Sequence, residues 1–111
     1  MTRVVRVLID PPLSGYENMS RDEALLEIGS SNALLTLRFF EWREKTLSVG
    51  RFQKTKEIDF EYLKTKNLPL VRRPTGGRAI LHDEEITFSL FIPSVSFKHH
   101  TFYYEELQKV L

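Results

Sequence analysis

This sequence predicts an α+β fold, a mixed or antiparallel sheet with helices packed against it. Three observations carry the prediction. Apolar residues alternate with polar ones at 35–39 and 86–90, and a serine-led acidic cluster precedes helical spacing near residue 20. Strand-like and helix-like segments interleave along the chain with no internal repeat and no linker. At 111 residues the chain is read as one domain, residues 1–111.

Residues 4–9 are apolar and β-branched, and Pro11-Pro12 stops them, so they read as a strand. Ser20-Arg21-Asp22-Glu23 has the form of a capping box, in which the serine and the glutamate three residues on satisfy each other's free amides. Ala24, Leu25 and Ile28 continue at helical spacing until Gly29-Ser30-Ser31-Asn32 ends the helix. Leu35, Leu37 and Phe39 alternate with Thr36 and Arg38 as a half-buried strand. After a turn at 42–45, Leu47-Ser48-Val49-Gly50 is a second, short strand. Asp59 caps a brief helix to about Lys66, with Leu63 and either Phe60 or Tyr62 inward, and Asn67-Leu68-Pro69 terminates it. The chain is extended again at 70–73, turns at Pro74-Thr75-Gly76-Gly77 and resumes a strand at 78–81. Ile86, Phe88 and Leu90, alternating with Thr87 and Ser89, form the clearest strand. Thr101 caps a last helix with Tyr103, Tyr104, Leu107, Val110 and Leu111 as its apolar positions. That pattern still runs at the final residue, so either the chain is a truncated piece or something else completes the fold.

Composition excludes several classes. Apolar runs such as Leu90-Phe91-Ile92 fall far short of a membrane span, and the first residues carry arginines without an apolar signal-peptide core. Cysteine is absent, which removes disulfides, thiolate zinc sites and a thiol nucleophile from these residues and fits the cytoplasm. His82, His99 and His100 lack metal-ligand spacing, so no metal site is expected. Net charge is only +1, yet residues 38–78 hold 11 Lys/Arg against five acids. That basic stretch suits nucleic acid, a phosphate-bearing ligand or an acidic partner, or else is a solvated face of lysines.

The chemistry-bearing run is Arg72-Arg73-Pro74-Thr75-Gly76-Gly77-Arg78, followed by Ala79-Ile80-Leu81-His82-Asp83. Glycines let successive N–H groups turn into an anion-binding concavity, arginine adds a planar charged fork, and Thr75 adds a hydroxyl donor. A hairpin turn would use the glycines but not the arginines. The run is neither a Walker loop nor a dinucleotide fingerprint.

Three ordered blocks resemble the lipoate/octanoate branch of the biotin and lipoate protein ligase superfamily: Asn18-Met19-Ser20-Arg21-Asp22-Glu23-Ala24-Leu25-Leu26; residues 37–42 followed by Thr46-Leu47-Ser48-Val49-Gly50-Arg51-Phe52-Gln53; and residues 72–90. The resemblance implies a tunnel for a medium-chain acyl group beside the sheet, with the arginine–glycine loop over its activated end. It assigns Arg72, Arg73, Thr75, Gly76, Gly77 and Arg78 to that loop, His82 to the following pocket wall, and Arg51 and Gln53 to the border of the same cavity. Trp42, Phe39 and Phe88 are read as core rather than tunnel, and His82 either packs structurally or touches ligand.

Arg78 stands where many ligases of the family have a third glycine, which favours octanoyltransferases. These move octanoyl from acyl carrier protein, through a cysteine thioester, to a lipoyl-domain or glycine-cleavage H-type acceptor lysine. The alternatives are a subunit of an ATP-dependent lipoate ligase, with ATP and magnesium, and a non-catalytic acyl-binding module. Family members run to roughly twice this length, with the catalytic cysteine or lysine beyond the corresponding point. The expectation is therefore an incomplete, N-terminal half-domain with no catalytic residue or cofactor of its own, inactive alone. A C-terminal-half polypeptide would carry the cysteine or lysine and dock on the last helix and an open sheet edge in a heterodimer, without membrane or nucleic acid. A crystallised fragment or degenerate gene product is the competing origin.

Overall fold

Two small mixed sheets and a long helix frame the molecule, and the structure, a computed structural model, describes residues 5–29, 35–93, 105, 108 and 109. The order is β1 (Val5–Ile9), α1 (Gly15–Gly29), β2 (Leu35–Glu41), β3 (Thr46–Val49), a 3-10 turn (Thr55–Glu57), α2 (Phe60–Thr65), β4 (Leu70–Arg72), β5 (Ile80–His82) and β6 (Ile86–Phe91). One sheet runs β1-β2-β6, with β1 parallel and β6 antiparallel to β2. The other runs β4-β3-β5, with β4 parallel and β5 antiparallel to β3. The expected α+β class holds, with two sheets where one was expected. The last helix, apart from the helical positions Glu105, Gln108 and Lys109, lies outside the described residues, as do Val4, Ser30-Ser31-Asn32, His99 and His100.

Helix α1 begins five residues before the expected cap. The chain carries the serine–x–x–glutamate pattern twice, and the earlier copy is the working one: the Glu17 amide donates to Ser14 Oγ at 3.1 Å. Glu17 in turn bonds back to Ser14, which holds its carboxyl below the ordinary value. Ser20 therefore sits inside the helix. In α2 the Asp59 cap is as expected, accepting from the Tyr62 amide at 3.0 Å. There Leu63 alone turns inward; Phe60 and Tyr62 are both exposed, because so short a helix offers one buried position per face.

The larger correction concerns β2. Alternation there suggested one wet face, yet Thr36, Leu37, Arg38 and Phe40 are all buried. Arg38 is fully buried because α1 covers it with acceptors. Its Nε donates to Asp10 Oδ2 (2.7 Å), and one terminal nitrogen donates to Asp22 Oδ1 (2.8 Å) and the Asn18 carbonyl (3.0 Å). The other terminal nitrogen donates to Asn18 Oδ1 (2.7 Å), and the guanidinium lies 4.0 Å over the Phe40 ring. Ser89 Oγ donates to the remaining Asp22 oxygen at 2.9 Å. Burial raises the Asp10 pKa, but the Arg38 and Arg21 bonds and charges outweigh it and hold the carboxyl below its usual range. At Asp22 burial wins, and the pKa is raised. This polar lock fixes α1 across the first sheet, beside an apolar cluster of Met19, Phe40, Trp42 and Val71.

Candidate acyl-binding cavity

Between α1, β6 and the 73–75 turn lies a cavity of about 550 Å³. Its walls are mostly apolar, from Met19 and Leu26 of α1, Phe40 of β2, Trp42, and Phe88, Leu90, Phe91 and Ile92 at β6. Its polar lining comes from Arg51, Arg73, Thr75 and His82, which neighbour one another through Ser48 and the Arg51–Thr75 backbone bond, and from Asp22, Thr87 and Ser89. The volume falls within the roughly 300–1,000 Å³ of small-molecule pockets, and a mostly apolar lining with two arginines suits an amphiphile.

Three of the nine residues singled out in the sequence act first as scaffolding. Arg72 lies outside the cavity; one terminal nitrogen donates to the carbonyls of Gly50, Arg51 and Gln53 at 2.8, 3.2 and 2.9 Å, pinning the turn after β3. Gln53 closes the same turn by accepting from the Gly50 amide. Arg73 reaches the cavity while holding its rim. One terminal nitrogen donates to Ser48 O and Oγ (3.1 and 2.7 Å), and the other to the carbonyls of Gly76 and Arg78 (2.9 and 2.8 Å). The hairpin alternative fails, because β4 and β5 each pair with β3 and not with each other. With its carbonyl held by Arg73, Arg78 stays out of the ladder, and β5 starts at Ile80 rather than at 78.

Gly76, Gly77 and Arg78 line a separate, shallow groove with Phe52, Gln53, Lys54 and Glu57, of about 310 Å³. Arg78 is exposed there and pairs with Glu57 at 2.8 Å. Gly77 needs its lack of a side chain, having a φ of 95°. Among the described residues Arg51 pairs with no carboxylate; its guanidinium sits 5.3 Å from the Phe52 ring.

His82 is buried at the end of a relay that sequence reasoning missed. Its Nε2 lies 2.7 Å from Ser48 Oγ and its Nδ1 lies 3.3 Å from Glu85 Oε2. Its ring stacks on Trp42 at 4.0 Å and 12°. Thr87 Oγ1 donates to Glu85 and accepts from Trp42 Nε1, both at 2.8 Å. Burial pushes the His82 pKa down against the raising effect of Glu85, and Arg73 nearby lowers it further. A neutral ring fits one proton arrangement. Nδ1–H donates to Glu85, Ser48 donates to Nε2, and Arg73 donates to Ser48. Burial also lowers the Arg73 pKa. Trp42 is core as expected but lines the cavity as well, and Phe88, expected in the core, is partly exposed at its rim. Ser48, Glu85 and Thr87 gave no signal in the sequence, because their pairing spans three separate strand or loop segments.

The basic stretch at 38–78 does not form one face. Arg43 pairs with Glu17 (3.5 Å), Lys45 with Asp83 (3.6 Å) and Arg78 with Glu57, while Arg38 is internal. No group of three or more metal-ligating side chains occurs, and no helix is long and apolar enough to cross a membrane, among the described residues.

Comparison with known proteins points the same way as this geometry. The profile of the lipoyl protein ligase A/B catalytic domain matches residues 14–111. Octanoyltransferase LipM of Macrococcus caseolyticus is 51% identical over 80 residues, covering 70% of this chain and 29% of that protein. The Staphylococcus epidermidis octanoyltransferase LipM is 43% identical over 95 residues, covering 84% and 34%. The chain thus spans about a third or less of the length of these curated relatives. Among solved structures, a bi-partite lipoate protein ligase from Thermoplasma acidophilum, described with its E2 lipoyl domain, superposes with a TM-score of 0.78 at 25% identity, covering 96% of this chain and 42% of that one. A lipoate-protein ligase A bound with ATP gives 0.73 at 29% identity, covering 90% and 41%.

Proposed function

Because the chain belongs to the lipoyl protein ligase A/B catalytic-domain family, we propose that it supplies the acyl-binding part of an octanoyltransferase in protein lipoylation. The observation that carries this reading is the cavity, whose lining is mostly apolar and includes the cationic Arg51 and Arg73. An octanoyl chain lies against Met19, Leu26, Phe40 and Phe91, where each methylene removed from water contributes about 0.8 kcal/mol. Its thioester carbonyl meets Arg51, Arg73 and Thr75. The four terminal N–H bonds of Arg73 are committed to Ser48 and two loop carbonyls, so it favours a developing oxyanion through a charge fixed in place rather than through a donated hydrogen bond. His82, fixed by Ser48 and Glu85, forms the wall behind the head group. The groove beside Gly76, Gly77 and Arg78 takes the carrier end of the donor.

The reaction needs a thiolate, and these residues contain no cysteine. A second polypeptide region supplies it. The thiolate attacks octanoyl-acyl carrier protein, forms the enzyme thioester and releases the carrier thiol. The neutral amine of a lipoyl-domain lysine then attacks that thioester, forming the amide and freeing the cysteine. The setting is the cytoplasm, and the working unit is a heterodimer or a longer chain. The ATP-dependent ligase reading is kept because structures of lipoate ligases share the fold.

Incubation with octanoyl-acyl carrier protein and an apo lipoyl domain, with and without the completing polypeptide, tests the proposal. Octanoylation by the complex without ATP is the expected result. Modification that requires ATP and free acid establishes the ligase, and no modification under either condition leaves an acyl-binding module.

A further inference from the structure

Glu85 lies outside the acyl cavity, in a separate groove with Glu41, Asp83, Glu84 and Ile86. It nevertheless bonds His82, which does line the cavity, and through His82 and Ser48 it reaches Arg73. Both ends of this chain of bonds have a fixed polarity. At the far end a carboxylate only accepts, and Glu85 Oε2 takes the Thr87 hydroxyl at 2.8 Å and faces His82 Nδ1 at 3.3 Å. The Thr87 hydroxyl accepts from Trp42 Nε1 at 2.8 Å, which leaves its proton for Glu85. Burial raises the Glu85 pKa, but the Thr87 and His82 bonds outweigh it and hold the carboxyl below its usual range. At the near end a guanidinium only donates, so Ser48 Oγ accepts from Arg73 at 2.7 Å.

We propose that Glu85 is the positioning residue for Arg73. Its carboxylate keeps the His82 proton on Nδ1, because the other neutral tautomer would turn a ring lone pair toward the anion. Nε2 is then bare and takes the Ser48 proton at 2.7 Å, which leaves the Ser48 lone pairs for Arg73. Stacking on Trp42 at 4.0 Å and 12° holds the ring plane, so Glu85 decides the place of the proton rather than the place of the ring. With the proton on Nε2 instead, Ser48 Oγ would accept from both His82 and Arg73, and its own proton would have no acceptor among the described residues. Ser48 is fully buried, so that unmet donor is costly. The cationic charge at the cavity is therefore placed by a carboxylate that lines no part of it. The consequence for acyl binding rests on the function proposed above, whereas the relay does not.

Nitrogen NMR of the full chain reads both ends of the relay, with signals identified by their loss in His82→Gln and Arg73→Lys. Wild type should carry the His82 proton on Nδ1. Glu85→Ala should move it to Nε2 and displace the signal of the Arg73 nitrogen that bonds Ser48, while the other, held by Gly76 and Arg78, stays in place. Circular dichroism should not change. By titration calorimetry the same variant should bind octanoyl-pantetheine about tenfold more weakly, the size of one lost buried hydrogen bond. Glu85→Gln, whose amide oxygen accepts the same two protons, should restore the tautomer, the Arg73 signal and the affinity. If Glu85→Ala fails to fold, Ser48→Ala serves in its place: the Arg73 signal should move while the His82 proton stays on Nδ1. A wild-type proton on Nε2, a tautomer indifferent to Glu85→Ala, or an Arg73 signal indifferent to either variant would overturn the proposal. Wild-type signals as expected without octanoyl-pantetheine binding remove the acyl-binding reading and leave the role of Glu85 standing. Undiminished binding in a Glu85→Ala chain whose tautomer and Arg73 signal have both moved removes Arg73 from the head group and likewise leaves the relay.

Discussion

Alanine at Gly50 tests how the arginine–glycine loop is held. A Cβ built there would lie 1.9 Å from the Gly77 carbonyl oxygen, whereas real contacts stay beyond 3.0 Å, so that oxygen must retreat by about 1.1 Å. The carbonyls on either side of Gly77, at Gly76 and Arg78, are the two that Arg73 holds at 2.9 and 2.8 Å. A shift of that size breaks or badly lengthens both. Hydrogen bonds from a charged donor contribute roughly 1.5–3 kcal/mol each, and with partial relaxation the expected loss is about 3 kcal/mol. For a domain of this size that lowers the melting temperature by roughly 12–24 °C. Gly76→Ala is the control, because a Cβ there meets nothing within 4 Å. Gly77→Ala should fall between them, since its φ of 95° strains any side chain. Urea and thermal unfolding of the three variants give the ranking, and binding of an octanoate-bearing probe should follow the same order. Equal losses at Gly50 and Gly76, or a harmless Gly50→Ala, would refute the close-approach argument.

Arg38→Met should cost about 3–5 kcal/mol by leaving Asp22 buried without its cation, and adding Asp22→Asn should restore part of it; an unchanged urea midpoint for the single variant counts against the lock. Because burial depresses the His82 pKa in the folded state, the unfolded chain takes up this proton first as pH falls, so stability should decline from about pH 6.5 downward. Denaturant titrations at pH 7.5 and 5.5 should show a smaller decline for His82→Gln than for wild type, and an equal decline would speak against a neutral buried ring. Ser14→Ala should lose about 1 kcal/mol as a broken helix cap, whereas Ser20→Ala, within the helix, should change the melting temperature little.

Local pattern carried the element types because strands and helices answer to short-range periodicity. The alternation at 35–39 and 86–90, which lies within β2 and β6, the Asp59 cap and the break at Pro11-Pro12 were all legible that way. Where two copies of one cap signal stood six residues apart, periodicity could not choose between Ser14 and Ser20; packing of Gly15 against Thr46 and Val71 shows how closely the true start meets the second sheet. The loop residues were legible as a group, since glycines among arginines are costly unless they serve a turn or a ligand. Their division of labour was not. Arg72 and Arg73 are neighbours in sequence, yet one pins a turn and the other faces the cavity, because successive residues of an extended segment point opposite ways.

From its own residues the chain determined its α+β class, its lack of a thiol and the loop that sets glycines among arginines. Tertiary structure alone decided that Arg38 is internal, that β4 and β5 flank β3, and that Ser48, His82 and Glu85 form one relay. Burial of a charge and pairing across 34 residues depend on which surfaces meet, and no short window of sequence contains both partners.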